Sequence, residues 1–122
     1  MREMDLNEWG HQFLIRNSKL KGWKVEGDGP AYDVTTKKTQ RYLVSADARE
    51  HDGADVLITL NTEANLSWVA SHFDELPESR IIFTNPQSDA YWTLNIKMLR
   101  SFGDAERFKK KPELFTSDVP VV

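Results

Sequence analysis

The chain has 122 residues, 39% apolar and 29% charged, with no cysteine. These are the values of one folded domain with a modest core; they exclude collagen-like and wholly disordered chains, and the missing cysteine removes disulfides, cysteine-ligated zinc and thiol nucleophiles. The net charge is only −3, but its distribution is uneven: +2 over residues 1–49, −7 over residues 50–90 and +2 over residues 91–122.

No apolar run approaches the roughly 20 residues that a bilayer span requires, and the first residues lack the apolar stretch of a secretory signal. A cytoplasmic protein with no membrane partner is therefore expected. Residues 5–20 predict a helix, with Leu6, Trp9, Phe13 and Leu20 at helical spacing and Gly22 as its stop. Residues 23–26 form a short strand, Gly27-Asp28-Gly29-Pro30 a turn, and residues 31–36 a second strand. Lys37-Lys38-Thr39-Gln40 makes a polar hairpin turn into a third strand over 41–48, which Glu50-His51-Asp52-Gly53 breaks. Its Leu43, Ser45, Asp47 and Arg49 would then share one face.

Residues 54–60 are an almost continuous apolar run, the pattern of a strand buried on both faces. Asn61 or Thr62 caps the helix that follows, whose stripe is Leu66, Val69, Ala70, Phe73 and Leu76 and whose end is marked by Pro77. Residues 80–84 read as another buried strand, so this strand–helix–strand unit predicts a parallel crossover. Residues 88–102 admit two readings. Ser88 and Gly103 bracket a helix, while Trp92, Leu94, Ile96 and Met98 alternate as in a strand; a strand over 91–96 with a short helical turn after it is the favoured one. From residue 103 the chain is polar and basic, with Phe108, Leu114 and Phe115 as docking points. The fold class is α/β, a single domain over 1–122 with a core at about 5–102, in which helices flank a mixed central β-sheet.

Three short stretches carry a family resemblance: LKGWKV (Leu20 to Val25), AYDV (Ala31 to Val34) and RYLVSADAR (Arg41 to Arg49). In this order after a first helix they resemble the PD-(D/E)XK, or restriction-endonuclease-like, superfamily, which includes Holliday-junction resolvases. The resemblance covers roughly residues 5–60 and implies an αβββ(β)αβ core. It also implies a site in which Asp33 and Asp47, on adjacent strands, hold a divalent metal such as Mg²⁺. Such a metal takes hard oxygen ligands, lowers the pKa of a bound water and stabilises charge on a phosphodiester. Arg49 falls where the family carries its lysine, giving Asp47-Ala48-Arg49 as a D-x-R variant. Arginine stays protonated, so it can bind phosphate but is a poor base. The other register places Ser45-Ala46-Asp47 at the motif and has neither the carboxylate nor the lysine. Glu8 is the candidate for the additional first-helix carboxylate of the family.

The basic positions are Arg16, Lys19, Lys21 and Lys24, then Lys37, Lys38 and Arg41, then Arg107 and Lys109 to Lys111. Lys24, Lys37, Lys38 and Arg41 are the candidate nucleic-acid contacts, because phosphate backbones are held by such side chains. The ordinary readings compete with each of these. Scattered charge is usually a solvated face, Asp33 beside a turn can bond neighbouring backbone, Asp47 and Arg49 can form a surface ion pair, and His51, Asp52 and Asp55 make a polar loop. Trp9, Trp23, Trp68 and Trp92 are expected mainly in the core, with Trp68, off its helix stripe, the one most exposed to a partner.

Two functions follow. One is a nuclease-like domain acting on DNA or RNA, either a Mg²⁺-dependent enzyme using Asp33, Asp47 and Arg49 or a non-cleaving relative that binds without metal. The other is a non-enzymatic accessory or immunity factor of a mobile element, whose acidic middle faces a basic protein partner. A homodimer through the strand containing Trp92 is compatible with either.

Overall fold

The structure, a computed structural model, describes residues 5–122. Helix α1 spans Leu6–Lys21. Asp5 caps it by accepting the Glu8 N–H at 2.7 Å, and Gly22 ends it in the left-handed conformation, φ 71°, which costs glycine least. The strands are β1 (Lys24–Glu26), β2 (Ala31–Thr35), β3 (Thr39–Val44), β4 (Val56–Leu60), β5 (Arg80–Asn85) and β6 (Ala90–Asn95). They form one six-stranded sheet in chain order. Pairing is antiparallel at β1–β2, β2–β3 and β5–β6, and parallel at β3–β4 and β4–β5. The parallel crossover foreseen for residues 54–84 is thus present, carried by α2 (Glu63–Ser71). Thr62, rather than Asn61, caps α2: its hydroxyl accepts the Asn65 N–H at 3.1 Å.

Strand alternation divides the core in two. On one face Tyr32, Val34, Tyr42, Val44, Val56, Ile58 and Ile82 pack under Trp9, Phe13 and Leu14 of α1. Gly10 allows this approach, since a β-carbon there would lie 2.8 Å from Val44 Cγ2. On the other face Leu43, Leu57, Ile81, Phe83, Trp92 and Leu94 meet Val69, Ala70 and Phe73 from α2 and its following turn. Helix α3 (Ile96–Ser101) adds Ile96 and Leu99 to this layer, and α4 (Ala105–Lys110) adds Phe108. The result is a mixed α/β domain with its sheet between helices.

One expectation is corrected. β3 begins at Thr39 and ends at Val44, not 41–48. The Ser45 N–H still donates to Ile58 O of β4, after which the chain turns away and Ala48–Glu50 close a 3₁₀ turn capped by Asp47, with Asn65 holding the Ala46 carbonyl and the Ala48 N–H. The stretch with two readings takes the favoured one, strand followed by a short helix, β6 then α3. Of the three docking points expected in the C-terminal stretch, Phe108 is fully buried and Phe115 half-buried, while Leu114 stays exposed.

Candidate nucleic-acid interface

β1, β2 and the first half of β3 extend beyond the cover of α2, so their outward side chains are open to solvent. The row Lys24–Thr35–Thr39 crosses these strands at the hairpin end, and Glu26–Asp33–Arg41 is the next row on that face. Lys37 and Lys38 form the hairpin tip just past the Thr35–Thr39 pair. Lys19 and Lys21 arrive at the same end through the last turn of α1, which leads by Gly22 and Trp23 into β1. With strands about 4.8 Å apart and a rise of about 3.3 Å per residue, the Cα atoms of Lys24, Lys37, Lys38 and Arg41 fall within about 15 Å.

These charges differ in how free they are. Lys24 Nζ is 2.9 Å from Glu26 Oε1. Arg41 donates weakly to the Asp52 carbonyl, at 3.4 Å, and its backbone N–H is held by Asp55 Oδ2 at 2.8 Å. Lys21 lies 5.5 Å from the centre of the Trp23 ring, a cation–π contact that leaves its ammonium facing water. Lys19, Lys37 and Lys38 are exposed and make no ion pair among the described residues. Of the other basic residues, Arg16 reaches Asp89, Lys109 holds Asp74 and Glu106, and Arg107 lies over the Phe115 ring, while Lys97, Lys110 and Lys111 are exposed without an ion pair among the described residues.

The two carboxylates expected to share a metal are not brought together. Asp33 is central in β2, directly across from Arg41, and lines a shallow depression with Glu26, Gly27 and Tyr32. Asp47 lies past the end of β3 and lines a different one with Thr62, Asn65 and Trp68. Its Oδ1 accepts the Arg49 N–H at 3.0 Å, and both carboxylate oxygens accept from the Arg49 guanidinium, at 2.6 to 3.0 Å. That pairing holds the Asp47 carboxyl below the usual carboxylate range, chiefly through the side-chain bond from Arg49, and raises the guanidinium in turn. Among the described residues no three His, Asp or Glu side chains are placed to hold a metal ion. Asp33 and Asp47 therefore do not form one shared Mg²⁺ site in this arrangement: Asp47 is paired with Arg49, and Arg41 stands across from Asp33. Glu8, on α1, lines a third depression with His11, Asp28 and Tyr32.

Loop 51–55 is the polar loop expected: His51 Nδ1 accepts the Gly53 N–H at 3.1 Å and Asp55 faces Arg41. Trp68 is not an exposed handle. It is half-buried and stacks on His72 with ring centres 4.4 Å apart. Asn61, marked by the sequence only as a possible cap, and Asn65, not marked at all, are the important residues that sequence reasoning missed. Both are buried, and both bond to several backbone groups.

Comparison with protein-family models, curated proteins and solved structures gave no match.

Proposed function

We propose that this chain is a non-cleaving nucleic-acid-binding domain of nuclease-like build, which grips a phosphate backbone with the lysine-rich end formed by α1, β1 and the β2–β3 hairpin. The supporting observation is the convergence there of Lys19, Lys21, Lys24, Lys37 and Lys38 from three elements, although the chain as a whole is acidic. A net negative protein does not bind polyanions through its overall field, so binding must be local. Cations at such an end displace counterions from the backbone, and affinity then falls steeply with salt. The hydroxyls of Thr35 and Thr39, 2.9 Å apart on the same open face, add neutral donors for phosphate oxygens.

The test is fluorescence anisotropy of labelled DNA and RNA oligonucleotides across a salt series. If Lys19, Lys21, Lys24, Lys37 and Lys38 each neutralise one phosphate of duplex DNA, the slope of log K against log salt is about −4.5. Lys37→Ala with Lys38→Ala lowers its magnitude by about 1.8. Wild-type protein that shows no salt-sensitive binding, or a double variant with an unchanged slope, overturns the proposal. Incubation with supercoiled DNA and Mg²⁺ or Mn²⁺ leaves the DNA intact; nicking that is lost in Asp33→Ala would show that the domain cleaves.

A further inference from the structure

The two edges of the sheet are protected very differently. β1 is three residues long, carries Lys24 and Glu26, and ends at a Gly-Asp-Gly-Pro turn. Short length, charge and proline are the usual defences against edge-to-edge pairing. β6 has none of them. It is six residues long, Ala-Tyr-Trp-Thr-Leu-Asn, without a charged residue, a proline or a glycine. β5 pairs with one side of it, and among the described residues nothing pairs with the other. Alternate N–H and C=O groups of β6 therefore point outward without a protein partner, in a strand whose Trp92 and Leu94 anchor it firmly at 4% exposure each.

We infer that β6 pairs antiparallel with β6 of a second copy of this chain, about a two-fold axis through Thr93, so that two sheets become one of twelve strands. The occupant is a second copy because the strand is self-complementary in that register. Cross-strand partners must lie on the same face, which requires pairs separated by an even number of residues. Centring on Thr93 sets Thr93 against Thr93 of the second copy and Tyr91 against Asn95 on one face, and Trp92 against Leu94 on the other. Thr–Thr and aromatic cross-strand pairs are favourable, and no like charges oppose each other. Just past the strand ends, position 89 is acidic and position 97 basic, so the antiparallel arrangement brings opposite charges near each other at both ends. One Asp89 oxygen is already engaged, accepting the Trp9 indole N–H at 2.8 Å; the other makes only a weak contact with Arg16 at 3.5 Å. Tyr91, 48% exposed, borders the paired edge on the α1 side and loses that exposure on pairing. A two-fold contact of this kind is isologous and closes, so it yields a dimer rather than a filament.

The absence of cysteine makes the test clean. Wild-type protein is measured by sedimentation velocity over a wide concentration range, with twice the monomer mass expected at the upper end. Thr93→Lys places like charges opposite each other at the axis and is expected to give a monomer with an unchanged circular dichroism spectrum. Thr93→Cys sets two thiols across the axis at a Cβ separation of about 4.5 to 5.5 Å, slightly wider than a relaxed disulfide, and is expected under oxidant to give a linked dimer faster than a cysteine away from the axis. Ser71→Cys, on the exposed surface of α2, serves as that control. A wild-type protein that stays monomeric throughout, or a dimer that survives Thr93→Lys while Thr93→Cys links no faster than Ser71→Cys, overturns the inference. The Thr93→Cys result stands even if Thr93→Lys folds poorly. The lysine-rich end lies at the opposite edge of the sheet, so loss of the dimer and loss of nucleic-acid binding can be told apart.

Discussion

Removing the Asn65 side chain should be among the most damaging single changes outside the apolar core. Its Oδ1 accepts the Ala48 N–H at 3.0 Å, and its Nδ2 donates to Ala46 O and Leu60 O, each at 2.9 Å, and to Thr59 Oγ1 at 3.2 Å. Ala48 and Thr59 have no exposed surface, so water cannot readily replace the lost partner. Asn65→Ala leaves a buried N–H and a buried hydroxyl unpaired, each at about 1–3 kcal/mol. A loss of about 3.5 kcal/mol follows. With an unfolding entropy of about 2.1 cal/mol/K per residue, this corresponds to a fall in Tm of about 14 °C for a chain of this length. Asn65→Asp restores the acceptor for Ala48 but sets a carboxylate against the Ala46 and Leu60 carbonyls, so it should not rescue. The assay is thermal unfolding followed by circular dichroism, with Ser67→Ala on the exposed side of α2 as reference. A fall in Tm of under about 3 °C would mean that the 45–50 segment is not pinned as described, since that is less than one buried hydrogen bond.

Phe108→Ala should cost about 3–5 kcal/mol in denaturant unfolding, the range for a fully buried phenylalanine; a negligible change would show that residues 103–122 do not belong to the core. Gly10→Ala should destabilise despite the better helix propensity of alanine, a gain of about 1 kcal/mol, because the new methyl meets Val44; a stabilised variant would mean that α1 sits farther from β3. The Asp47 carboxyl, lowered chiefly by the side-chain bond from Arg49, should titrate below an ordinary aspartate when followed by NMR. A folded pKa below the unfolded one gives stability that is fully present above the unfolded pKa and is lost as pH falls through the folded one. Arg49→Gln should return the midpoint toward the usual carboxylate value, and an unshifted midpoint would refute the pairing.

The local elements were legible because short-range chemistry decides them. Asp5 and Gly22 bracket α1, the apolar runs of β4 and β5 announce burial on both faces, and Pro77 follows the helical region. Composition and strand order were enough for a mixed sheet between helices in one α/β domain. Where β3 stops was not legible. The chain leaves the sheet after Ser45, where Asn65, 17 residues beyond Ala48, takes up the Ala46 carbonyl and the Ala48 N–H. That one long-range bond set moves Asp47 off the strand and into the arms of Arg49. The burial of Phe108 likewise depends on Phe73 and Phe115 closing around it, which no local pattern records. Periodicity and caps act within a few residues and are written in the chain, whereas the meeting of two side chains from distant segments is settled only when the whole core closes.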